Sequence, residues 1–461
     1  MPSLRVDPMG DEAVSGAGAL DECAGVRRTL QFAARFSSRG VEDALRELSR
    51  LTAATAAAVP NRPLQWYLAS TAFFLIPGGI QIVLFPWLVA VFLMESPVRV
   101  GLAQMAQQLP MVLLILWGGV IGDRVDQRRL LIGLQSALVI PPLVMAVLVR
   151  ADLVVYQVLI VWALIGGTFA AFAQPARDAL LNRVAGSDIQ RVVMLAVGVQ
   201  FGVQIVGFGI GSTAEWLGAA PVLVMQALIM LIAAVATTRI PKLPPPAPRA
   251  RASVLKEVSE GLAIVWRSET IRPVVLQVAA VGVFFAGSYL VILPLMVRDI
   301  YGGSAGGIAL VFAANMLGTC TMIVMLMRYG GLERPGRALI LGSFVSIAIL
   351  SLLALELPEW GFYLVVYLWG LCGGISMTMS RSIVQEASPE SHRARVMSVY
   401  SLGMMGGMPI GSLALGFCVE LLGARLAVLV PATGMLCVVI LLIFRSRLWH
   451  VRRAGIAENL A

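Results

Sequence analysis

Between two long apolar runs lies GGVIGDRVDQRRLLIG (118–133), which gathers the side chains best placed for chemistry: the Asp123 carboxylate and the Arg124, Arg128 and Arg129 guanidiniums. A carboxylate can seat on a helix N-terminus or pair with a cation, and arginines can bind carboxylates or lipid phosphates. The stretch is equally a plain basic turn between two apolar segments. Its glycine pair, Gly118 and Gly119, would let two helix backbones approach closely just before the charges. Three further acids, Glu215, Glu386 and Glu420, stand near the ends of apolar runs. Glu215 and Glu420, with Asp123, are the candidates for carrying a proton. No ionisable group stands in the middle of a run, where one would be functional by default.

Several other chemistries are excluded. No G-x-x-x-x-G-K-[ST] phosphate loop occurs, so no nucleotide-driven pump is expected. His392 and His450 are far apart, and Cys23, Cys320, Cys372, Cys418 and Cys437 show no paired spacing. No metal site, disulfide or cofactor is therefore expected, and no nucleophile or carboxylate pair points to an enzyme. The polar or aromatic groups in the apolar runs that are candidates for lining a cavity are Gln81, Gln104, Gln108, Gln204, Tyr289, Asn315, Tyr367 and Trp369. They can line a cavity or pack between helices. A cavity lined by these and by Met377, Met379, Met404, Met405 and Met408 would be uncharged and adaptable, suiting a large lipophilic substrate.

The elements that must position these residues are membrane helices. The chain has 461 residues, 58% hydrophobic and only 13% charged, where a soluble domain carries about a quarter. Apolar runs near the length of a bilayer crossing recur from Trp66 onward. They predict twelve helices, at 66–94, 100–121, 130–149, 153–172, 192–214, 219–238, 273–297, 306–327, 338–355, 360–379, 396–421 and 424–444. Residues 1–62 read as an N-terminal extension with an amphipathic stretch over 30–51, or as an over-extended start. The expected division is then 63–238, a first six-helix bundle; 239–272, a linker; 273–445, a second bundle; and 446–461, a tail. The linker opens with the proline-rich PKLPPPAPRAR and continues into an amphipathic helix over 253–266, lying on the membrane.

Basic residues set the orientation. With the 118–133 hairpin in the cytoplasm, the opposite side holds only Arg99, Arg150, Arg298 and Arg425. Both termini are then cytoplasmic, and the net charge of +9 is a topology signal rather than one for nucleic acid.

The two halves also resemble each other, at a shift of about 204 residues, as parallel repeats would. ARDALLNRVAG and SRSIVQEASPE each close an apolar run with an arginine; each leads to an Arg-Val start, a glycine-rich helix, a glutamate (Glu215, Glu420) and Leu-Gly. YGGLERPGR (329–337) is a worn counterpart of the 118–133 hairpin.

The 118–133 stretch resembles the G-x-x-x-D-R-x-x-R-R loop of the major facilitator superfamily, on Gly119, Asp123, Arg124, Arg128 and Arg129; Asp126 and Gln127 depart from it. FPWLVAVFL, PARDALL and HRARVMSVYSLGMMGGMPIGS look most like the bacterial branch of siderophore exporters and macrolide-efflux-like permeases. The resemblance covers residues 64–445. It implies an all-α integral membrane fold of two six-helix bundles, with Asp123 in a cytoplasmic gate facing the start of the eleventh helix near Gly403 to Gly407. Gly207 and Gly211 stand where exporters carry a G-P-x-x-G-G motif, without its proline, and with Gly406, Gly407 and Gly411 are the candidate packing glycines.

Function follows by the same resemblance: a monomeric secondary transporter in the bacterial cytoplasmic membrane, in contact with lipid, exporting an amphipathic small molecule in exchange for protons. The alternatives are an importer of the same fold and a non-transporting scaffold that uses residues 1–62.

Overall fold

The structure is a computed structural model describing residues 62–184, 189–242, 254–328, 332–446 and 448–451, all in one unit that spans 61–461. The expected N-terminal extension, the proline-rich part of the linker and most of the tail lie outside the described residues. No strand occurs among the described residues.

The first half comprises α1 (Arg62–Trp87), α2 (Pro97–Arg124), α3 (Gln127–Ala137), α4 (Ile140–Arg150), α5 (Tyr156–Val184), α6 (Ile189–Ser212), the single turn α7 (Ala214–Leu217) and α8 (Ala219–Thr238). The linker helix is α9 (Val254–Arg267). The second half comprises α10 (Ile271–Val281), α11 (Leu293–Ile300), α12 (Ala305–Arg328), α13 (Pro335–Leu352), α14 (Glu359–Ala387), α15 (Arg393–Ala427) and α16 (Leu429–Arg445). Ten segments among the described residues are long and apolar enough to cross a membrane. Two more helices, α6 and the shorter α16, stand where the fifth and twelfth spans were expected. Large apolar side chains such as Trp117, Val147, Leu421 and Phe444 are exposed. In a bilayer this is an ordinary outer surface, because lipid is as apolar as the side chains.

Several boundaries differ from the apolar pattern, for physical reasons. The span expected over 130–149 is two helices, because Pro141 and Pro142 open α4 without the N–H groups that would continue α3. The span expected to end at Phe172 runs on to Val184, and that expected to end at Met379 runs to Ala387. Helix-forming Ala, Leu, Gln and Arg continue each helix after hydrophobicity has fallen. The expected break near 422 is sharp: Gly423 has φ 77° and ψ 160°, a conformation open to glycine and closed to most side chains.

The repeat extends to individual contacts. Gly218 repeats the Gly423 backbone, with φ 81° and ψ 160°, three residues after Glu215 as Gly423 is three after Glu420. Gly79 on α1 packs on Gly207 of α6, where a Cβ would lie 2.9 Å from the Gly207 Cα. Gly287 packs on Gly411 of α15 in the same way, 2.8 Å from its carbonyl carbon. Gly167 of α5 rests on the Gln107 carbonyl, and Gly370 of α14 on that of Asn315. Wide π turns flank a proline in both halves: Leu88–Phe92 after Pro86, and Gly282–Ala286 and Ser288–Ile292 before Pro294.

A buried polar contact ties the first and third spans of each half. In the first half Gln135 Nε2 donates to Ser70 Oγ (3.4 Å), Thr237 Oγ1 donates to Gln135 Oε1 (2.7 Å), and the two hydroxyls meet at 2.5 Å. In the second half the partners are exchanged, and Gln277 Nε2 donates to Ser343 Oγ (2.7 Å). At the offset of 205 residues that relates Gly218 to Gly423, the counterpart of Thr237 is the apolar, buried Leu442, and Gln277 Oε1 is buried without a partner.

Candidate functional site

The residues singled out in the sequence fall in three places. The first is the basic hairpin. Gly119, Asp123 and Arg124 lie in the last turns of α2, and their surroundings are outside the described residues. Asp126 caps α3: its Oδ1 accepts from the backbone N–H of Arg128 (2.9 Å) and Arg129 (3.2 Å). This explains an aspartate where the superfamily pattern has glycine. Arg128 Nη2 donates to the Thr238 carbonyl (2.6 Å), placing a cation on the C-terminus of α8. Arg129 is exposed and only loosely paired with Asp126, at 3.8 Å, a contact of little energetic weight. Gly118 presses so closely on the Ala171 carbonyl of α5 that a Cβ has no room.

Beside this hairpin stands a group that the apolar pattern missed. Arg177 and Asp178 belong to α5, not to a loop. Arg177 is buried, with its guanidinium over Phe74 of α1, its Nη2 on Gln174 Oε1 (2.6 Å) and its Nη1 without a partner. Gln174 Nε2 donates in turn to Asp178 Oδ2 (3.3 Å). The sequence signal was available, since the spacing 174, 177, 178 puts all three on one helix face.

The second place is the helix interior. Gln81 accepts from Gln226 (3.2 Å) between α1 and α8; Asn315 Nδ2 donates to the Val366 carbonyl (3.4 Å) and Tyr367 to Thr321 (3.3 Å), both joining α12 to α14. Gln104 is buried, as is Trp369, edge-on to Phe285. The Gln204 carbonyl lies against Gly79, where a Cβ would come within 2.6 Å. Tyr289 packs on Phe312, with ring centroids 4.6 Å apart and planes tilted by 50°, and is half-buried. Among the expected packing glycines, Gly207, Gly211, Gly407 and Gly411 meet neighbouring helices closely. Gly406 does not: a Cβ there would meet nothing within 4 Å, because it lies on the side of α15 turned away from α10.

The third place is where the halves join. A Cβ at Gly101 of α2 would lie 2.5 Å from the Ser412 carbonyl and 3.1 Å from Gly416 Cα, both on α15. Gln108 Nε2 bridges to Ser412 Oγ (3.3 Å). The related seam, α6 on α12, is aromatic, with Phe208 and Phe312 at 6.1 Å. On the face opposite the basic hairpin, Glu420 Oε2 accepts from Val98 N (3.4 Å) and Glu215 Oε2 from Gly306 N (3.5 Å). Arg298 Nη1 donates to the Glu95 carbonyl (2.7 Å). Nearby, Tyr301 donates to the Leu357 carbonyl (3.1 Å), and burial raises the pKa of its hydroxyl. The linker helix α9 docks on the start of α15 through the Glu260–Arg395 ion pair (2.7 Å).

Two repeat-related helical halves with glycine-lined seams are the frame of a major facilitator, and sequence comparison decides the family. Residues 66–459 match the model described as transmembrane secretion effector. The chain belongs to this family of the major facilitator superfamily. A curated relative, the staphyloferrin A transporter of Staphylococcus aureus, is 23% identical over 369 residues, 77% of this chain and 89% of the relative. Among solved structures, nucleoside transporter NupG superposes with a TM-score of 0.67 at 13% identity, covering 84% of this chain and 100% of that one. A bacterial homolog of the human lysosomal transporter Spinster, titled inward-facing and unoccupied, gives 0.61 at 14% identity, covering 87% and 98%. These structural likenesses establish the fold. The chain is thus a multi-pass membrane transporter and not an enzyme.

Proposed function

We propose that this transporter exports an amphipathic small molecule of siderophore or drug type, in exchange for protons, from a bacterial cytoplasm. It works as a monomer in the cytoplasmic membrane, with both termini and the 118–133 hairpin inside. The observation that carries the reading is the pair of repeat-related seams, α2 on α15 and α6 on α12, which join the halves, with a half-buried Tyr289 packed on Phe312 at the second. Two bundles that meet along such seams can rock about a shared cavity, which is alternating access. The cavity candidates are uncharged, with Gln104, Gln204, Tyr289 and Asn315 among them, and this supports a large, mostly apolar cargo. The description of the family as a secretion effector supports export, and the named cargo of the staphyloferrin A transporter supports a siderophore. Asp123, at the end of α2 and just ahead of a firmly capped α3, is the gate residue in this reading; Asp123, Glu215 and Glu420 are the acids available for a proton.

Vesicles test this directly. Inverted vesicles bearing the protein should accumulate a ferric or iron-free siderophore only while a proton gradient is present. Accumulation confined to right-side-out vesicles would make it an importer. Asp123→Asn should remain in the membrane and lose transport about fivefold, the size expected for one charge–helix contact of about 1 kcal/mol acting in a gate. Wild-type flux in that variant would remove the gate role.

A further inference from the structure

We propose that the face opposite the basic hairpin is held shut by two repeat-related latches, in which Glu215 and Glu420 each complete the N-terminal cap of a helix from the other half. Both helices are capped in the same divided way. α2 starts after Ser96, whose Oγ accepts from the N–H of Arg99 (3.5 Å), the residue at the third helical position behind Pro97, which has no N–H. α12 starts after Ser304, whose Oγ accepts from Gly307 N (2.8 Å), again the third. A serine that caps the third position leaves the N–H at the second position unsatisfied. In α2 that group is Val98 N, and it takes Glu420 of the second half; in α12 it is Gly306 N, and it takes Glu215 of the first half. Each helix thus supplies its own serine and borrows its carboxylate from across the seam.

The carboxylates can reach because of the turns that follow them. Glu215 and Glu420 each stand three residues before a glycine with φ near 80°, Gly218 and Gly423, where the chain reverses into the next span. The reversal leaves the preceding turn at the rim, directed at the neighbouring helix start. Negative charge at a helix N-terminus is favourable, so each latch adds a charge–dipole attraction to its hydrogen bond. The third cross-seam contact on this face also sets a charge against backbone: the Arg298 guanidinium lies on the carbonyl of Ala90, in the π turn that follows α1, and on that of Glu95 just beyond it. Among the described residues no direct ion pair joins the two halves here; closure uses charges against backbone groups.

Such contacts fit a face that must also open. When the halves separate, water replaces the carboxylate on the N–H, and the carboxylate stays hydrated at the rim. The latch therefore biases the equilibrium without locking it, as a transporter needs when its two states differ by little free energy. This role rests on the reading that the halves alternate, but on neither the direction of transport nor the coupling ion.

The test is a distance measured across the face by double electron–electron resonance. Spin labels are placed through Ala151→Cys and Trp360→Cys, in a variant lacking the five native cysteines and reconstituted in lipid nanodiscs. A charge at a helix terminus typically changes an equilibrium severalfold. Glu215→Gln and Glu420→Gln should therefore each raise the ratio of long to short distances about threefold, and the double variant about tenfold, since the two sites are far apart and independent. Glu356→Gln, an exposed acid on the same face that touches no helix start, should leave the distribution unchanged. Ser96→Ala, which weakens the same helix from its own half, should lower thermal stability without lengthening the distance. An unchanged distribution in the double variant would overturn the latch, as would an equal shift in Glu356→Gln. Failure of wild-type vesicles to accumulate any siderophore would count against the export reading alone, because the distances read the latch independently.

Discussion

The two seams between the halves are related by the same repeat, yet they are built from opposite materials. Where α2 meets α15, Gly101 and Gly416 bring backbone onto backbone, and Gln108 bridges to Ser412 midway along the helices. Where α12 meets α6, the contact is between the rings of Phe312 and Phe208, and Tyr289 of the π turn Ser288–Ile292 packs on Phe312. Backbone contact tolerates tilting but no added volume, because carbonyl oxygens cannot step aside as side-chain ends can. Aromatic contact tolerates changes in ring angle and lateral slip. The first seam is therefore suited to be a fixed pivot and the second a compliant one. A pair of pivots of unequal stiffness lets one bundle roll on the other without losing register.

The sharpest way to break this comparison is to add one methyl group to the stiff seam. In Gly101→Ala the new Cβ would stand 2.5 Å from the Ser412 carbonyl oxygen, and α2 and α15 must separate to admit it. Overpacking of this kind costs about 1–3 kcal/mol, so siderophore transport in vesicles should fall about tenfold or more. Transport at the wild-type level would show that the backbones there are free to part, and the stiff pivot would be lost. The compliant seam should respond less. Phe312→Leu keeps an apolar side chain and removes the ring contacts with Phe208 and Tyr289; a hydrophobic swap of this kind costs about 1 kcal/mol, and transport should fall about fivefold. A larger loss than in Gly101→Ala would reverse the assignment of the two seams.

Much of this frame was legible in the sequence because lipid imposes a simple rule. Backbone groups in hydrocarbon must be satisfied internally, so each long apolar run becomes a helix. The repeat could be read from the ends of its apolar runs, where Arg177 and Arg381, or Glu215 and Glu420, are not interchangeable with bulk apolar residues. What could not be read is anything set by partners distant in the chain. Nothing local to Glu215 shows that the free N–H of Gly306 waits across the seam, and nothing near Gly101 shows that Gly416 will face it. The run ending at Phe172 concealed Arg177 and Asp178 inside α5, since hydrophobicity marks the lipid-filled part of a helix and not its end. Gly406 and Gly407 looked alike as neighbours in one glycine-rich helix, but successive residues point about 100° apart, and only Gly407 meets α10.

The contrast between strictly and loosely matched counterparts also reaches the buried polar contacts, where the smallest effects are expected. In the first half Ser70, Gln135 and Thr237 form a closed ring in which every polar atom can be satisfied. Thr237→Val keeps the shape of the side chain and removes the hydroxyl, leaving Gln135 Oε1 buried without its donor. An orphaned buried acceptor costs about 1–3 kcal/mol, so thermal unfolding in detergent should move clearly downward. In the second half the ring is already open, with Gln277 Oε1 unsatisfied. Gln277→Leu removes one hydrogen bond to Ser343 together with that standing penalty, and Ser343 keeps its own donation to the Leu339 carbonyl (2.9 Å). The two terms offset, and the change should stay within about 1 kcal/mol. If both variants lose stability equally, the orphaned oxygen carries no penalty in this protein, and the two halves are energetically alike despite the missing hydroxyl on α16.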